Sequence, residues 1–415
     1  MIVFSRDRLE RAQAGLLYAL LILLPFSKAA VEIIFGLLLL AWALAWLDPQ
    51  ARQESFWRGP QRRTLRAALL VFLGVCALSI AVSSRPAESL LALVAKWSEY
   101  LLYAVMVADL TYRRPAVARR SLIALVIAVA AVLVEALTQE LWGRGLFRRY
   151  PRMTYGRMTG PYENPVDLAT YLIVVLPVVI VAAASAGRRA RPWLWGMVLV
   201  ICAALARTLA QSAWFAAALA LGYLGWTLPA LRARLAVLIG VAAVLSAGVL
   251  AMTGMLASAV TVVDAGAKDR WFMWQAALRM IHDRPFLGHG LNTFMGNYLN
   301  YWVGGEHQPR YAHNCYLQMA AETGLIGLAA FLALLGLLVA RMMRAARGAV
   351  DAERMRLAGL TAGVVAFLIH AGLDTGFYAL RHAALFWVLA GLTLGASEQA
   401  LAAAAGSRAA RACLP

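Results

Sequence analysis

Charge is what this sequence has least of. Only 14% of its 415 residues are Asp, Glu, Lys or Arg, while 62% are hydrophobic. A water-soluble chain of this length needs far more charge to cover its surface, so the bilayer must be the solvent for much of it. Acidic residues are scarcer than basic ones, 21 against 39, for a formal charge of +18. Such a balance can signal nucleic acid, but here the basic residues sit between long apolar runs, the membrane-protein pattern, and no nucleic-acid partner is expected. Cysteine is sparse too. Cys76, Cys202, Cys315 and Cys413 lie far apart, two of them inside apolar runs, which leaves neither a disulfide framework nor a CxxC zinc pattern.

What is abundant is long apolar sequence. A hydrocarbon core of about 30 Å takes about 20 residues as helix. Runs that qualify lie near 14–27, 29–47, 67–82, 90–109, 121–139, 166–185, 193–206, 212–230, 235–253, 316–340, 358–377 and 383–397. The expected fold class is therefore all-α: a polytopic membrane protein with about twelve transmembrane helices, embedded in a lipid bilayer. The first run follows Arg6, Arg8 and Arg11 as a signal peptide would. No A-x-A site follows it, however, and Lys28 interrupts the cleavage region, so it is read as a helix.

Arginine orients the bundle. With the N-terminus inside, the inward segments carry Arg6, Arg8 and Arg11, then five arginines from Arg52 to Arg66, then Arg113, Arg114, Arg119 and Arg120. Further along come Arg188, Arg189 and Arg191, then Arg232 and Arg234, five from Arg341 to Arg356, and Arg408 with Arg411. These are 24 of the 39 basic residues, so the positive-inside rule predicts both termini in the cytoplasm. The chain divides into helices 1–9 over residues 1–253, an outward loop over 254–314, and helices 10–12 with a cytoplasmic tail over 315–415.

Two outward segments are too long for simple turns. Residues 140–165 carry Arg144, Arg148, Arg149, Arg152 and Arg157 against Glu140 and Glu163. Five arginines on the wrong side point to a bound anion, because guanidinium forks match phosphate oxygens; tolerant translocation is the competing account. Residues 254–314 are long enough to hold a folded lid. Within them, the stretch from Arg270 to His282 reads as an amphipathic helix with Trp271, Trp274, Leu278 and Ile281 on one stripe. That stripe is either interfacial or the core of the lid, and the two are compatible. Arg270 borders it and should point toward the bundle mouth, whereas Arg279 should face water. Pro285, Gly288 and Gly290 then break the helix.

His313 and Asn314 fall at the outer start of the tenth membrane helix. Projected down that helix, Leu317, Ala320, Gly324, Gly327 and Phe331 share the face of His313, and the small middle three invite close helix contact. A helix N-terminus disfavours imidazolium, so the ring can accept a proton as a general base; a histidine that merely hydrogen-bonds a neighbouring loop is the alternative. Other ionisable residues in or beside the spans are Glu32, Lys96 with Glu99, Glu135, Arg207, His370 with Asp374, and Arg381. Lys96 and Glu99, three residues apart, are expected to neutralise each other. Asp374, near the outer end of helix eleven, could reach the site below the loop.

Arg270…Trp274…Asp283-Arg-Pro…Gly288-His-Gly290, together with His313-Asn314…Glu322-Thr-Gly324-Leu-Ile-Gly327, resembles the O-antigen ligase and O-antigen polymerase superfamily. Arg157-Met-Thr-Gly160-Pro-Tyr-Glu-Asn164-Pro165 looks like a further element of that family. The resemblance covers roughly residues 155–380, and its His-Asn…Glu-x-Gly-x-x-Gly pattern does not separate ligase from polymerase. It implies a GT-C-like membrane glycosyltransferase of the Gram-negative inner membrane, working on the periplasmic face. Such an enzyme moves a glycan from undecaprenyl pyrophosphate to an acceptor hydroxyl, which in ligases belongs to the lipid A–core oligosaccharide. His313 would then be the base of an inverting transfer, and Arg157, Arg270, Arg152 and Arg207 the candidates for the pyrophosphate. Asn314, Glu322, Asp374 and Trp274 would support them.

There is one departure: the family's Ser-Arg-Gly after the seventh span reads Gln211-Ser212-Ala213 here, with Arg207 one turn earlier as a substitute. No Asp-x-Asp lies in either outward segment and the histidines lack ligand spacing, so neither metal nor cofactor is expected. Competing readings are a polymerase extending carrier-linked repeats, a protein oligosaccharyltransferase, and a lipid or glycan transporter. The second usually carries a large C-terminal domain, while only about 18 residues follow the last run here. The third usually shows repeated halves, which this sequence does not.

Overall fold

The computed structural model describes residues 5–151, 156–252 and 256–412. Its order is α1 (Arg6–Leu23), α2 (Lys28–Ala45), α3 (Pro49–Gln53), α4 (Arg63–Ala81), α5 (Pro86–Ala92), α6 (Ser98–Arg113), α7 (Pro115–Trp142) and α8 (Pro165–Ser185). Then follow α9 (Arg191–Arg207), α10 (Gln211–Thr227), α11 (Arg232–Met252), α12 (Leu256–Asp283), α13 (Phe294–Tyr298), α14 (Cys315–Gly348), α15 (Asp351–Ala371) and α16 (Leu380–Ala412). A single π-turn over Leu93–Trp97 joins α5 to α6 into one rod. The protein is an all-α, multi-pass membrane protein.

All twelve apolar runs fall in helices. Eight helices are long and apolar enough to cross a membrane: α2, α4, the α5–α6 rod, α7, α8, α14, α15 and α16. The other four runs lie in α1, α9, α10 and α11. α9 and α10 have only 17 residues each, and α1 opens on Arg6, Asp7, Arg8, Glu10 and Arg11.

The centre of the bundle is built from α6, α8, α15 and α16. Without a hydrophobic force between helices in lipid, close backbone approach has to supply the contact. Gly391 and Gly395 do this for α16: a Cβ at either would lie within 2.8 Å of a backbone oxygen of α6, Ala104 or Ala108. Asn164 starts α8, its Oδ1 accepting from the Val166 amide at 2.8 Å, with Pro165 at the first helical position where a missing N–H costs nothing.

The outward loop departs from expectation in extent. α12 fills Leu256–Asp283, so about half of the expected lid is one helix rather than loop. The face it buries also differs. Met273, Ala276, Ala277 and Met280 pack with Phe294, Tyr298, Ala312 and Ala321 to form the lid core. Trp271 and Leu278 are exposed, while Trp274 is half-buried and Ile281 packs against the lid core, so the stripe is partly outer face and partly core.

Candidate active site

The site begins with a broken helix. α14 is interrupted at Gly324, where φ 71 and ψ 179 leave the helical region. A break inside a membrane helix frees backbone groups that lipid cannot satisfy. The Pro285–Gly290 segment satisfies them. His289 N donates to Ala321 O at 3.1 Å, Gly290 N to Glu322 O at 2.8 Å, and Leu325 N to Pro285 O at 2.7 Å. A Cβ on Gly324 would fall 2.0 Å from Phe286 O, and one on Gly288 2.5 Å from Glu322 O. Both positions have positive φ, and only glycine fits. This is why the Pro-x-x-Gly-His-Gly stretch and the Glu-Thr-Gly stretch occur together: one clasps the other. It also breaks the continuous face drawn from His313 to Phe331, since the helix changes course at Gly324.

Glu322 organises the lid from beneath. Its buried carboxylate accepts from the Asn292 amide at 2.7 Å, the Phe294 amide at 3.3 Å, Gln318 Nε2 at 3.0 Å and the Tyr378 hydroxyl at 3.0 Å. His289 is a buried ring whose Nε2 donates to Met280 O at 3.2 Å; burial pushes its imidazole below the ordinary value. Lys96 reaches Asn292 Oδ1 at 2.8 Å and lies over the Tyr378 ring. The expected Lys96–Glu99 pair is therefore not formed: the lysine supports the lid.

On this footing His313 is held at the mouth. Its backbone is left-handed, φ 46, a sparsely populated conformation for a residue with a side chain. Asn314 caps α14 directly after it, Oδ1 accepting from the amides of Tyr316 and Leu317 at 3.0 Å each. His313 Nδ1 lies 3.0 Å from Asp374 Oδ1. The ring is 37% exposed and the carboxylate 7%, so the imidazole keeps an open edge while its orienting partner is covered. Burial would push the Asp374 carboxyl up, but the hydrogen bond from His313 and the charges of the His370 and His313 rings hold it well below the usual carboxylate range. Cys315 Sγ fixes the Asp374 carbonyl at 3.1 Å.

Two further layers lie behind. Buried His370 sits between Thr170 Oγ1 (3.3 Å from Nδ1) and Ser212 Oγ (3.2 Å from Nε2). Ser212 belongs to the segment where the resemblance failed. The serine has a role there. Arg207, the expected substitute for the missing arginine, is buried, and its Nη2 lies 2.8 Å and 3.0 Å from the two carboxylate oxygens of Glu140.

Arg157 is differently placed. The 143–164 loop is pinned by α7: Glu135 accepts from the Phe147 and Arg148 amides, and Gln139 Oε1 accepts from the Thr159 and Gly160 amides. Arg157 then donates from Nε to Thr208 O at 2.8 Å, leaving the rest of its fork free of carboxylates. Burial lowers its proton affinity, and the facing charge of Arg270 lowers it further. Arg270 also lies within electrostatic reach of His370. Among the described residues no carboxylate pairs with Arg157 or Arg270. Two arginines that repel across a shared space with no counter-ion form a place for an anion. Trp274, one turn after Arg270 on α12, has a buried Nε1 with no acceptor. Arg152 lies outside the described residues.

Residues 195–332 match the family model described as O-antigen ligase. The match runs from α9 into α14 and takes in Arg270, Trp274, the clasp, His313, Asn314 and Glu322, while Arg157 precedes it and Asp374 follows it. It supports a function related to O-antigen ligation or polymerisation. No curated protein matches the chain.

Proposed function

We propose that the chain is an O-antigen ligase of the Gram-negative inner membrane, with His313 on the periplasmic face and both termini in the cytoplasm. It would transfer O-antigen polysaccharide from undecaprenyl pyrophosphate to a hydroxyl of the lipid A–core oligosaccharide. The observation that carries this reading is the His313–Asp374 couple placed on the same face as two arginines without counter-ions. Because Asp374 is a carboxylate, Nδ1 of His313 carries the proton and Nε2 is left to accept one.

The acceptor hydroxyl gives its proton to Nε2 as its oxygen attacks the anomeric carbon. The bond from that carbon to the pyrophosphate oxygen breaks on the opposite side, with inversion, and the electron pair leaves on the pyrophosphate. Asp374 stabilises the imidazolium that forms. Arg157 and Arg270 take up the growing negative charge, as fixed donors do for any developing anion. No general acid is needed, because pyrophosphate leaves without protonation. An apolar groove supports a lipid-linked donor. Cavities of 430 Å³ and 170 Å³ share Leu238 along α9 and α11 and end at Ala206 and Trp214, next to the Thr208 carbonyl that holds Arg157.

The test is to incubate purified protein with carrier-linked glycan and lipid A–core, without an energy source and with excess chelator. Glycan-bearing lipopolysaccharide is the expected product. Lengthened carrier-linked glycan would assign a polymerase, and loss of activity on chelation, restored by one metal, would overturn the metal-independent mechanism.

A further inference from the structure

On the face opposite His313, α7, α8 and α15 enclose a cavity of 190 Å³. Its lining changes character with depth. Arg119, Ser185 and Arg356 stand at the helix ends; Leu122, one turn along α7, and Val178 and Val181, one to two turns back along α8, form the floor. The floor is closed where Gly359 meets α8: a Cβ there would lie 2.4 Å from Val181 Cγ2. The lining thus forms a wedge between membrane helices with a basic rim and an apolar base.

The rim is only partly neutralised from within. Arg119 is exposed and has no carboxylate partner among the described residues. Arg356 shares part of its charge with Glu353, at 2.9 Å. Ser185 Oγ contacts only the weak acceptor Met355 Sδ at 3.7 Å. Two guanidinium groups and a hydroxyl at the edge of a bilayer, over a slot of aliphatic side chains, match a phosphate ester with a hydrocarbon tail. Basic pockets between membrane helices are the general form of such sites.

We infer that this wedge is a binding site for an anionic phospholipid of the leaflet opposite the His313 face. The phosphate lies between Arg119 and Arg356 and the first methylenes of one acyl chain lie against Leu122, Val178 and Val181. Inorganic phosphate would share the rim but leave the floor empty, so the two sources of the same chemistry can be told apart. The inference is independent of the transfer reaction and uses none of its residues.

The test uses the full chain in phosphatidylcholine nanodiscs titrated with phosphatidylglycerol, with retained lipid counted by native mass spectrometry after release into detergent. One phosphatidylglycerol per chain should be retained in preference to phosphatidylcholine. The Arg119→Ala/Arg356→Ala variant should lose at least tenfold of that retention, whereas Arg188→Ala/Arg189→Ala, on the same face but outside the cavity, should keep it. Ala182→Phe, which fills the wedge without changing charge, should also lose it. Equal loss in the Arg188→Ala/Arg189→Ala variant, equal retention of phosphatidylcholine, or complete displacement by millimolar inorganic phosphate would each overturn the inference.

Discussion

Arginines on the two faces of this bundle are treated in opposite ways. On the face bearing the termini the most buried of them are tied into networks. Arg113 lies 2.7 Å from Asp109 and 3.1 Å from Glu10; Arg114 binds Asp7 and Glu10; Arg62 and Arg341 share the buried carboxylate of Glu398. Asp109 also accepts from the indoles of Trp42 and Trp46 and from the Phe56 amide. On the His313 face some arginines are paired too, Arg207 with Glu140 and Arg310 with Asp269 and Glu306, but Arg157 and Arg270 are not. Both faces carry the same residue type, yet the most buried arginines of one are spent on structure, while the other keeps two half-buried arginines without a carboxylate among the described residues. An arginine without a carboxylate in a half-buried place is therefore the more informative sign of a ligand site, because leaving it unpaired costs stability that nothing in the apo fold recovers.

Substitutions can break or sharpen that contrast. The largest effect should come from His313→Ala, which removes the proton acceptor. Transfer should fall by about 10²–10⁴-fold, with the thermal melting curve of the purified protein unchanged; normal lipopolysaccharide laddering in cells carrying it would falsify the role. Asp374→Asn should follow, at roughly 10²-fold in kcat with little change in KM, because it releases the ring and its tautomer but leaves substrate binding intact. Single substitutions Arg157→Ala and Arg270→Ala should each lower the rate by about 10²-fold, as loss of one transition-state donor does. For these two, inhibition by pyrophosphate in a steady-state assay should weaken in parallel. If Arg207→Ala weakened it as much, the distinction between paired and unpaired arginines would fail.

The smallest effect on catalysis, and the largest on stability, belongs to the other face. Glu398→Gln leaves Arg62 and Arg341 buried beside each other without their carboxylate, and breaking such a pair costs about 3–5 kcal/mol. Melting should shift down, as read by differential scanning fluorimetry in detergent, while kcat of the surviving protein stays within a factor of about two of the parent (RT gives about 0.4 kcal/mol for that ratio).

Much of this was legible in the residues. The apolar runs each fell in a helix, eight of these helices being long and apolar enough to cross a membrane, and several of the arginine-bearing segments lie at ends that ion networks tie together. The neighbourhood of His313 and Asp374 was readable only as two residues at the outer ends of helices ten and eleven; their 3.0 Å contact needed the packing of α14 on α15. The stripe on α12 was left open between interface and lid core because periodicity finds an apolar face without saying which part meets protein and which meets lipid. Trp271 and Leu278 were the more conspicuous residues, but Met273, Ala276, Ala277 and Met280 fit the narrow space over α14. Lys96 and Glu99 failed as a pair for a similar reason: helical spacing put them within reach, but the π-turn at Leu93–Trp97 alters the local register and Asn292 offered Lys96 a partner 196 residues away.

The sequence by itself determined the class of the protein, since a chain with so little charge must place its backbone in helices within lipid. That Gly288 and Gly324 take positive φ and clasp each other came from the tertiary structure, since the sequence showed one only as a turn residue and the other only as part of a helix face. The tertiary structure alone decided which arginines are free. Arg157, Arg207 and Arg270 are equivalent as letters; they differ because Glu140 pairs with one of them and, among the described residues, no carboxylate pairs with the other two, and charge compensation is a property of distance in space.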